Sequence, residues 1–157
     1  MTNLGGDERA TRAHRPIRQA NRRQRYDLFG AQRLCAHLHP AAAAPAHVAL
    51  SQLCGQEGDL AAAEHHVREA LRINPDLAAA HLSLGVVYKR QGRLEEAIAS
   101  YDRAIQLKPD YVEAYNNRGI VYSNKGQHDQ AISDYNKALE INPRFAEAYT
   151  GRGYVYL

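Results

Sequence analysis

The feature that most constrains the fold is a 34-residue period in the second half of the chain. Pro75, Pro109 and Pro143 stand 34 residues apart. Between them glycine, tyrosine and alanine recur at the same interval, as Gly85-x2-Tyr88-x3-Gly92-x4-Ala97-x3-Tyr101-x2-Ala104 and as Gly119-x2-Tyr122-x3-Gly126-x4-Ala131-x3-Tyr135-x2-Ala138. A period of this length indicates stacked units rather than one closed globule, because each unit buries its apolar face only against its neighbours.

The period divides the chain from Ala44 onward into three repeats and the first half of a fourth. Their bounds are 44–77, 78–111, 112–145 and 146–157. The first repeat is degenerate, since Ser51 and Cys54 stand where the second repeat has Gly85 and Tyr88. The chain therefore carries about three and a half repeats.

Each repeat has two halves with helical periodicity. In the second half of 78–111, apolar residues follow i, i+3, i+4, i+7 spacing. Gly92 separates the halves and is predicted to take the positive φ that ends a helix, while Pro109 forbids helical geometry at its predecessor. Small residues, Gly85 and Ala97, predict a close approach of the two helices, with Tyr101 filling the gap between neighbouring hairpins.

These residues resemble the tetratricopeptide repeat in spacing and in type. The resemblance covers 44–157 and departs from the family at Arg118 and Arg152, where the family has leucine and where a long stem is expected to snorkel. It implies an all-α fold, a right-handed α-solenoid of stacked helix-turn-helix hairpins. It also implies a concave inner wall, made by the first helix of each repeat, that binds peptides.

The concave wall is the candidate functional site. The resemblance implies a peptide-binding groove lined by Leu82, Val86, Lys89, Arg90, Asn116, Asn117, Ile120, Asn124, Thr150 and Tyr154. Apolar members would contact the ligand, and the two adjacent asparagines would hydrogen-bond its backbone, because an amide both donates and accepts. The alternative is a solvated inner face with no ligand.

Some members of the family grip a C-terminal carboxylate with two lysines, two asparagines and an arginine. Here Leu82 and Val86 occupy the places of the first lysine and asparagine, and only Asn117 matches. Glu147 and Gly151 stand where the second lysine and the arginine are expected. The sequence therefore argues against a carboxylate clamp.

The charge is unevenly distributed. Residues 1–25 carry seven arginines against Asp7 and Glu8, whereas 44–157 carry 12 basic and 14 acidic groups. We interpret 1–25 as a basic flexible arm, either a solubilising tail or a contact to phosphates. No aromatic residue interleaves the arginines before Tyr26, which argues against nucleic-acid binding by base stacking.

Residues 26–43 are expected to form a short capping helix, 26–39, followed by a Pro/Ala spacer. The two cysteines, Cys35 and Cys54, form no Cys-x-x-Cys pair and suit a reducing compartment. No apolar run is long enough to span a membrane, and the N-terminus has no secretory signal. We therefore expect a cytoplasmic protein.

Catalytic and cofactor motifs are absent from the sequence. There is neither a nucleophile elbow nor a P-loop, so we expect no enzyme in this chain and no cofactor. His65 and His66 are adjacent and diverge by about 100° on a helix, so we expect no metal site.

The half repeat 146–157 is a first helix without its partner helix. Two explanations are open: the chain is a fragment of a longer array, or this helix packs against another subunit and makes a homo-oligomer. The leading hypothesis is a non-catalytic interaction scaffold with a protein or peptide partner. The alternative is the recognition segment of a larger enzyme, such as an O-linked N-acetylglucosamine-type glycosyltransferase.

Overall fold

The computed structural model describes residues 40–156, which fold into seven α-helices. The helices are α1 (Pro40–Gln56), α2 (Leu60–Ile73), α3 (Ala78–Arg90), α4 (Leu94–Leu107), α5 (Val112–Asn124), α6 (His128–Ile141) and α7 (Ala146–Val155). They pair as hairpins α1/α2, α3/α4 and α5/α6, and α7 follows as the first helix of the half repeat. Residues 40–156 contain no strand, and the all-α solenoid that the family resemblance implies is confirmed.

The turn inside each hairpin depends on one glycine. Gly58, Gly92 and Gly126 have φ of 84°, 77° and 74°, a conformation that is costly for residues with a Cβ. In the second hairpin the Arg93 N–H then donates to the Tyr88 carbonyl at 2.9 Å, which satisfies an orphan carbonyl at the end of α3. The positive φ predicted for Gly92 is confirmed, and the equivalent glycines of the other two turns share it.

The stop after each second helix is equally regular. The residues before the three prolines, Asn74, Lys108 and Asn142, have φ of −137°, −137° and −131° with ψ of 96°, 90° and 95°. This extended conformation is the one that a following proline imposes. The spacing of the prolines therefore sets the length of every repeat.

The first helices form a continuous layer. Contacts join α1 to α3, α3 to α5 and α5 to α7, whereas no comparable contacts join α2 to α4 or α4 to α6 among the described helices. In a curved stack the helices that touch are those on the inner side. The inner wall is therefore built by α1, α3, α5 and α7.

A tyrosine of the second helix packs on a glycine of the first helix within each complete regular hairpin. A Cβ added at Gly85 would lie 2.7 and 2.8 Å from Cδ1 and Cζ of Tyr101, and one at Gly119 would lie 2.9 Å from Cε1 of Tyr135. The glycine therefore makes room for the ring of its own hairpin. The prediction that Tyr101 fills the space between hairpins is thus incomplete, because its ring is also the contact within the hairpin.

The degenerate first hairpin follows the same rule with smaller residues. Val67 occupies the register of Tyr101 and is fully buried, while Ser51 occupies that of Gly85 and is also buried. A valine side chain is shorter than a tyrosine ring, so the first helix tolerates a Cβ at Ser51. The two departures from the repeat pattern compensate each other.

Arg118 does not extend to solvent as the resemblance led us to expect. Its Nε and Nη2 donate to Oδ2 and Oδ1 of Asp134 at 2.8 and 2.6 Å, and its Nη1 donates to Asp102 Oδ1 at 2.5 Å. Asp134 on α6 is only 5% exposed, while Asp102 lies on α4 of the preceding hairpin. Hydrogen bonds and charge from the two carboxylates outweigh the burial that disfavours the cation, so the pKa of Arg118 is raised. Arg118 therefore ties three helices together through a bidentate ion pair.

The start of the array differs from the sequence prediction. Residues 40–43, interpreted as a Pro/Ala spacer, already belong to α1. Proline at the first helical position loses no helical hydrogen bond, and the alanines that follow have the highest helix propensity. Pro45 lies inside the same helix. The predicted arm, 1–25, and capping helix, 26–39, lie outside the described residues.

Candidate functional site

The inner wall contains a first cleft between α1 and α3. Its volume is about 200 Å³, and its lining includes Leu82, Val86 and Arg90 from α3 opposite Gln52 and Gln56 from α1. Arg90 reaches across it, with Nη1 donating to the Gly55 carbonyl in the last turn of α1 at 2.6 Å. The structure thus brings three of the predicted groove residues together around one cleft.

A second cleft lies between α5 and α7 and has a volume of about 510 Å³. Four predicted residues line it, Ile120 and Asn124 from α5 and Thr150 and Tyr154 from α7. Tyr154 is 76% exposed, whereas the Thr150 hydroxyl donates to the Ala146 carbonyl at 3.1 Å within its own helix. The apolar surface of Ile120 and the ring of Tyr154 are therefore the accessible contact groups of this cleft.

A polar bridge joins α3 to α5 between the two clefts. Lys89 Nζ donates to Asn117 Oδ1 at 2.8 Å, and Asn117 Nδ2 donates to the Glu113 carbonyl at 2.9 Å. Burial lowers the pKa of the Lys89 ammonium, and the neighbouring Arg90 lowers it further. Asn117 was predicted to hydrogen-bond a ligand backbone, but in the structure its amide orients Lys89.

Asn116, the other predicted backbone-binding asparagine, is buried. It is 6% exposed, and its Oδ1 has no hydrogen-bond partner within the described residues. A buried amide oxygen without a donor carries a desolvation cost. In this structure Asn116 is therefore a packed residue of the inner layer rather than an open contact group.

The two clefts differ in charge. No carboxylate among residues 40–156 forms an ion pair with Lys89 or Arg90, whereas Arg68, Arg93 and Lys125 all pair with glutamates on the outer helices or turns. The second cleft instead includes Glu147 at the start of α7. The wall is consequently cationic near the first cleft and bears a carboxylate in the second.

Some lining residues were missed by the sequence prediction. They are Gly55 and Gln56 in the first cleft and Ser123 and Gly151 in the second. The 34-residue period could have identified Gly55 and Gln56 as lining residues, because they stand 34 residues before Lys89 and Arg90. The sequence prediction missed this equivalence because the first repeat departs from the pattern of the others.

The histidines of the described residues do not line either cleft. The Nδ1 atoms of His47 and His66 are 3.3 Å apart between α1 and α2, and burial lowers the pKa of both rings. Within the described part of the chain, no group of three or more His, Cys, Asp or Glu side chains is arranged to hold a metal ion. None of the described helices is both long enough and apolar enough to cross a bilayer.

Solved structures share this arrangement of helices. The crystal structure of MamA matches with a TM-score of 0.71 and 28% identity, covering 87% of this chain and 81% of that one. The Thermobaculum terrenum O-GlcNAc transferase mutant K341M matches at 0.72 and 27%, covering 75% of this chain but 23% of that one. The first TPR of Spaghetti (RPAP3), bound to the HSP90 peptide SRMEEVD, matches at 0.69 and 19%, covering 72% and 90%.

The sequence itself matches repeat families. No curated protein sequence matches the chain significantly. Profiles described as tetratricopeptide repeat match residues 44–77, 66–99 and 112–145, and one described as TPR repeat matches 87–126. Together they cover 44–145 without a gap, and the matches to 44–77 and 112–145 coincide with the first and third hairpins. The chain belongs to the tetratricopeptide-repeat family.

Proposed function

We propose that residues 44–157 are a non-catalytic scaffold that binds a peptide segment of a partner protein along the two clefts of the inner wall. The observation that carries this proposal is the apolar side chains left open on that wall, above all Val86, Ile120 and Tyr154. Contiguous apolar surface that stays accessible in a folded protein marks contact sites.

The first cleft suggests part of the ligand's chemistry. Leu82 and Val86 offer an apolar floor, and Lys89 and Arg90 stand beside it without an ion-pair partner among the described residues. A peptide with an apolar side chain next to a carboxylate would satisfy both features. A partly desolvated cation gains more from a carboxylate than a surface lysine does.

The second cleft suggests a different requirement. Tyr154 presents a large exposed ring opposite Ile120, with the amide of Asn124 at the rim. Aromatic rings supply much contact area at a small cost in rotamer entropy, and they recur among the residues that dominate interfaces. We expect an apolar or aromatic ligand side chain here, with a basic or neutral neighbour because of Glu147.

Likeness to peptide-binding proteins of the same fold supports the proposal. The RPAP3 domain was solved with a bound HSP90 peptide, and YrrB, 20% identical with a TM-score of 0.65, is described as a TPR protein with an unusual peptide-binding site. At these identities the likeness extends to the fold. The assignment of groove residues in this chain therefore depends on its own geometry.

Selection from a displayed peptide library tests the proposal. The wild-type chain selects peptides, and their affinities are then measured for Val86→Glu and Ile120→Glu. Ala99→Glu and Ser133→Glu are the matched controls, since these exposed residues lie on the second helices α4 and α6. We expect a loss of at least tenfold in the two groove variants and none in the controls.

Circular dichroism of each variant separates lost binding from lost folding. Tyr154→Ala adds a variant that removes only exposed surface, so it should keep the wild-type unfolding midpoint while weakening binding. Selected peptides that bind all five variants as tightly as the wild type would rule out the groove.

A second candidate is a substrate-recruiting segment of a larger glycosyltransferase. It is favoured by the match to the Thermobaculum terrenum O-GlcNAc transferase, of which the chain spans 23%. The reading frame that encodes this chain decides between the candidates. A glycosyltransferase domain in the same frame would support the second, and a stop codon directly after Leu157 would exclude it.

A further inference from the structure

In the third hairpin a tyrosine ring fills the space between two neighbouring first helices. A Cβ added at Gly119 on α5 would lie 2.9 Å from Cε1 of Tyr135, and one added at Gly151 on α7 would lie 2.6 Å from its Cζ. The Tyr135 ring therefore touches its own hairpin on one side and the next first helix on the other.

The first hairpin lacks that ring. Val67 stands two repeats before Tyr135 in the same register, and its side chain is shorter by a whole ring. Ser51 and Ser83 stand in the registers of the two glycines that the Tyr135 ring touches, and both line the first cleft between α1 and α3. The first cleft therefore lies where the absent ring would have separated these two helices.

The walls of the first cleft match those around a tyrosine in the second hairpin. There Tyr101 shares an apolar cluster with the buried Val121, and Leu94 packs against the same cluster. Val87 and Leu60 hold the registers of Val121 and Leu94, and both line the first cleft. The side chains that surround a ring in one hairpin thus surround an opening in the other.

The size and polarity of the first cleft suit a tyrosine side chain. An engineered apolar cavity of about 150 Å³ holds a benzene molecule, and the first cleft has about 200 Å³. Ser51 is 1% exposed, and its hydroxyl oxygen has no hydrogen-bond partner within the described residues. A buried hydroxyl without a partner carries a desolvation cost. The phenol of a tyrosine both donates and accepts, so it removes that cost.

Two cations stand beside the first cleft. Arg90 lines it and uses one N–H for the Gly55 carbonyl, while Lys89 is half-buried and donates to Asn117. Neither forms an ion pair with a carboxylate of residues 40–156. A carboxylate accepts from a guanidinium through strong charge-assisted hydrogen bonds. The charge of this region therefore favours an acidic residue next to the tyrosine.

We propose that the first cleft is a pocket for a tyrosine side chain of the bound peptide, and that Asp or Glu stands directly beside this tyrosine. The ring lies between α1 and α3, and rotation about one side-chain bond brings the Ser51 hydroxyl to the phenol. The neighbouring carboxylate accepts from Arg90. This inference rests on the proposed function, to which it adds the residue type that the first cleft recognises.

The first cleft is bounded by complete hairpins. Both α1/α2 and α3/α4 lie within the described residues, so the end of the chain does not create the opening. Leu82 and Val86 of the groove also line it, which makes it continuous with the inner wall. The chain itself carries Tyr26-Asp27 outside the described residues, so the test includes that segment as a competing occupant.

The first probe is p-cresol, which reproduces the side chain of tyrosine. A ¹H–¹⁵N NMR titration follows its binding to the complete chain, with toluene, the side chain of phenylalanine, as the matched control. We expect saturable shifts at the amides of Ser51, Ser83 and Val87. Toluene should bind about fivefold more weakly because it makes no hydrogen bond. Ser51→Ala should lower the affinity for p-cresol to that for toluene.

A double variant fills the pocket from inside the protein. Ser51→Gly with Val67→Tyr reproduces the pair that Gly85 and Tyr101 form in the second hairpin. Circular dichroism should show wild-type helicity, and binding of p-cresol should fall at least tenfold. Ser51→Gly alone leaves the pocket open, so it should bind p-cresol as Ser51→Ala does. Undiminished binding to the folded double variant would overturn the proposal.

The displayed peptide library tests the pocket with complete ligands. We expect tyrosine beside an acid to be enriched among peptides that the wild type selects. Replacing that tyrosine by alanine, or the acid by its amide, should weaken binding at least tenfold. Peptides that lose affinity for Val86→Glu and Ile120→Glu but keep it for the double variant would uphold the groove and overturn the pocket.

The remaining outcomes concern the occupant. A gain of at least tenfold in p-cresol affinity on Tyr26→Ala would assign the pocket to the chain's own segment and overturn the proposal of a partner peptide. Unchanged affinity supports the partner. The absence of saturable p-cresol shifts, together with no enrichment of tyrosine in the library, would also overturn the proposal.

Discussion

Arg118→Leu is the change whose cost follows most directly from the structure. It restores the leucine that the second repeat carries as Leu84, yet it leaves Asp134 buried without the two hydrogen bonds from the guanidinium. Removing one partner of a buried ion pair typically costs about 3–5 kcal/mol, because an uncompensated charge remains. We expect the free energy of unfolding to fall by about that amount, which corresponds to roughly 12–20 °C at about 4 °C per kcal/mol.

The second repeat also provides the compensating change. It has Ser100 at the position of Asp134, and the Ser100 hydroxyl donates to the Glu96 carbonyl at 2.8 Å. Arg118→Leu combined with Asp134→Ser therefore reproduces a pair that this fold already accommodates. Since Asp102 is partly exposed and can be solvated, we expect the double variant to recover to within about 1 kcal/mol of the wild type.

Urea unfolding followed by circular dichroism measures these differences. Lys137→Met is the control, because it removes an exposed pair with Glu140, and exposed ion pairs contribute little to stability. The reasoning is refuted if Arg118→Leu unfolds within 1 kcal/mol of the wild type. It is equally refuted if the double variant is no more stable than the single one.

Two further predictions concern packing and pH. Gly85→Ala should lower the free energy of unfolding by about 1–3 kcal/mol, because the added methyl group meets the Tyr101 ring. Gly153→Ala should be neutral or slightly stabilising, because its methyl group meets no other atom. Equal urea midpoints for the two variants would contradict this. Burial lowers the pKa of His47 and of His66, so the unfolded chain binds protons at a higher pH than the folded chain does. The urea midpoint should therefore stay constant above about pH 6.5 and fall from there toward pH 5. His47→Tyr should flatten that dependence, and an unchanged slope would contradict it.

The hairpins could be predicted from the sequence because local chemistry specifies them. A glycine at φ near 77° and an extended residue before proline are set by steric exclusion within one or two residues. The 34-residue period then repeats the same turn and the same helix stop in each hairpin. Gly92 and Pro109 therefore indicated both the turn and the stop without any knowledge of tertiary contacts.

The ion pair of Arg118 could not be predicted in the same way. Asp134 lies 16 residues further along the chain, and its carboxylate becomes a partner only once α5 and α6 pack together. The sequence contained a signal, since the second repeat has Leu84 with Ser100 where the third has Arg118 with Asp134. Comparison of position with position between repeats, rather than with the family pattern, would have found it.

The burial of the predicted groove residues could not be predicted from the sequence, for a similar reason. Register along a helix shows that Asn116 and Asn117 face the inner wall, but not how closely the next first helix approaches. In the structure Asn116 is buried in that contact layer and Asn117 orients Lys89. Burial between helices depends on side chains from two repeats, so periodicity alone does not decide it.

The central proposal is that the wall of first helices holds a peptide. A ¹H–¹⁵N NMR titration with one library-selected peptide tests it most directly, because it reports the binding surface residue by residue. We expect the largest shifts at amides of α3, α5 and α7, among them Val86, Ile120 and Tyr154, and small shifts on α2, α4 and α6. Shifts concentrated on the second helices, with those three amides unmoved, would contradict it.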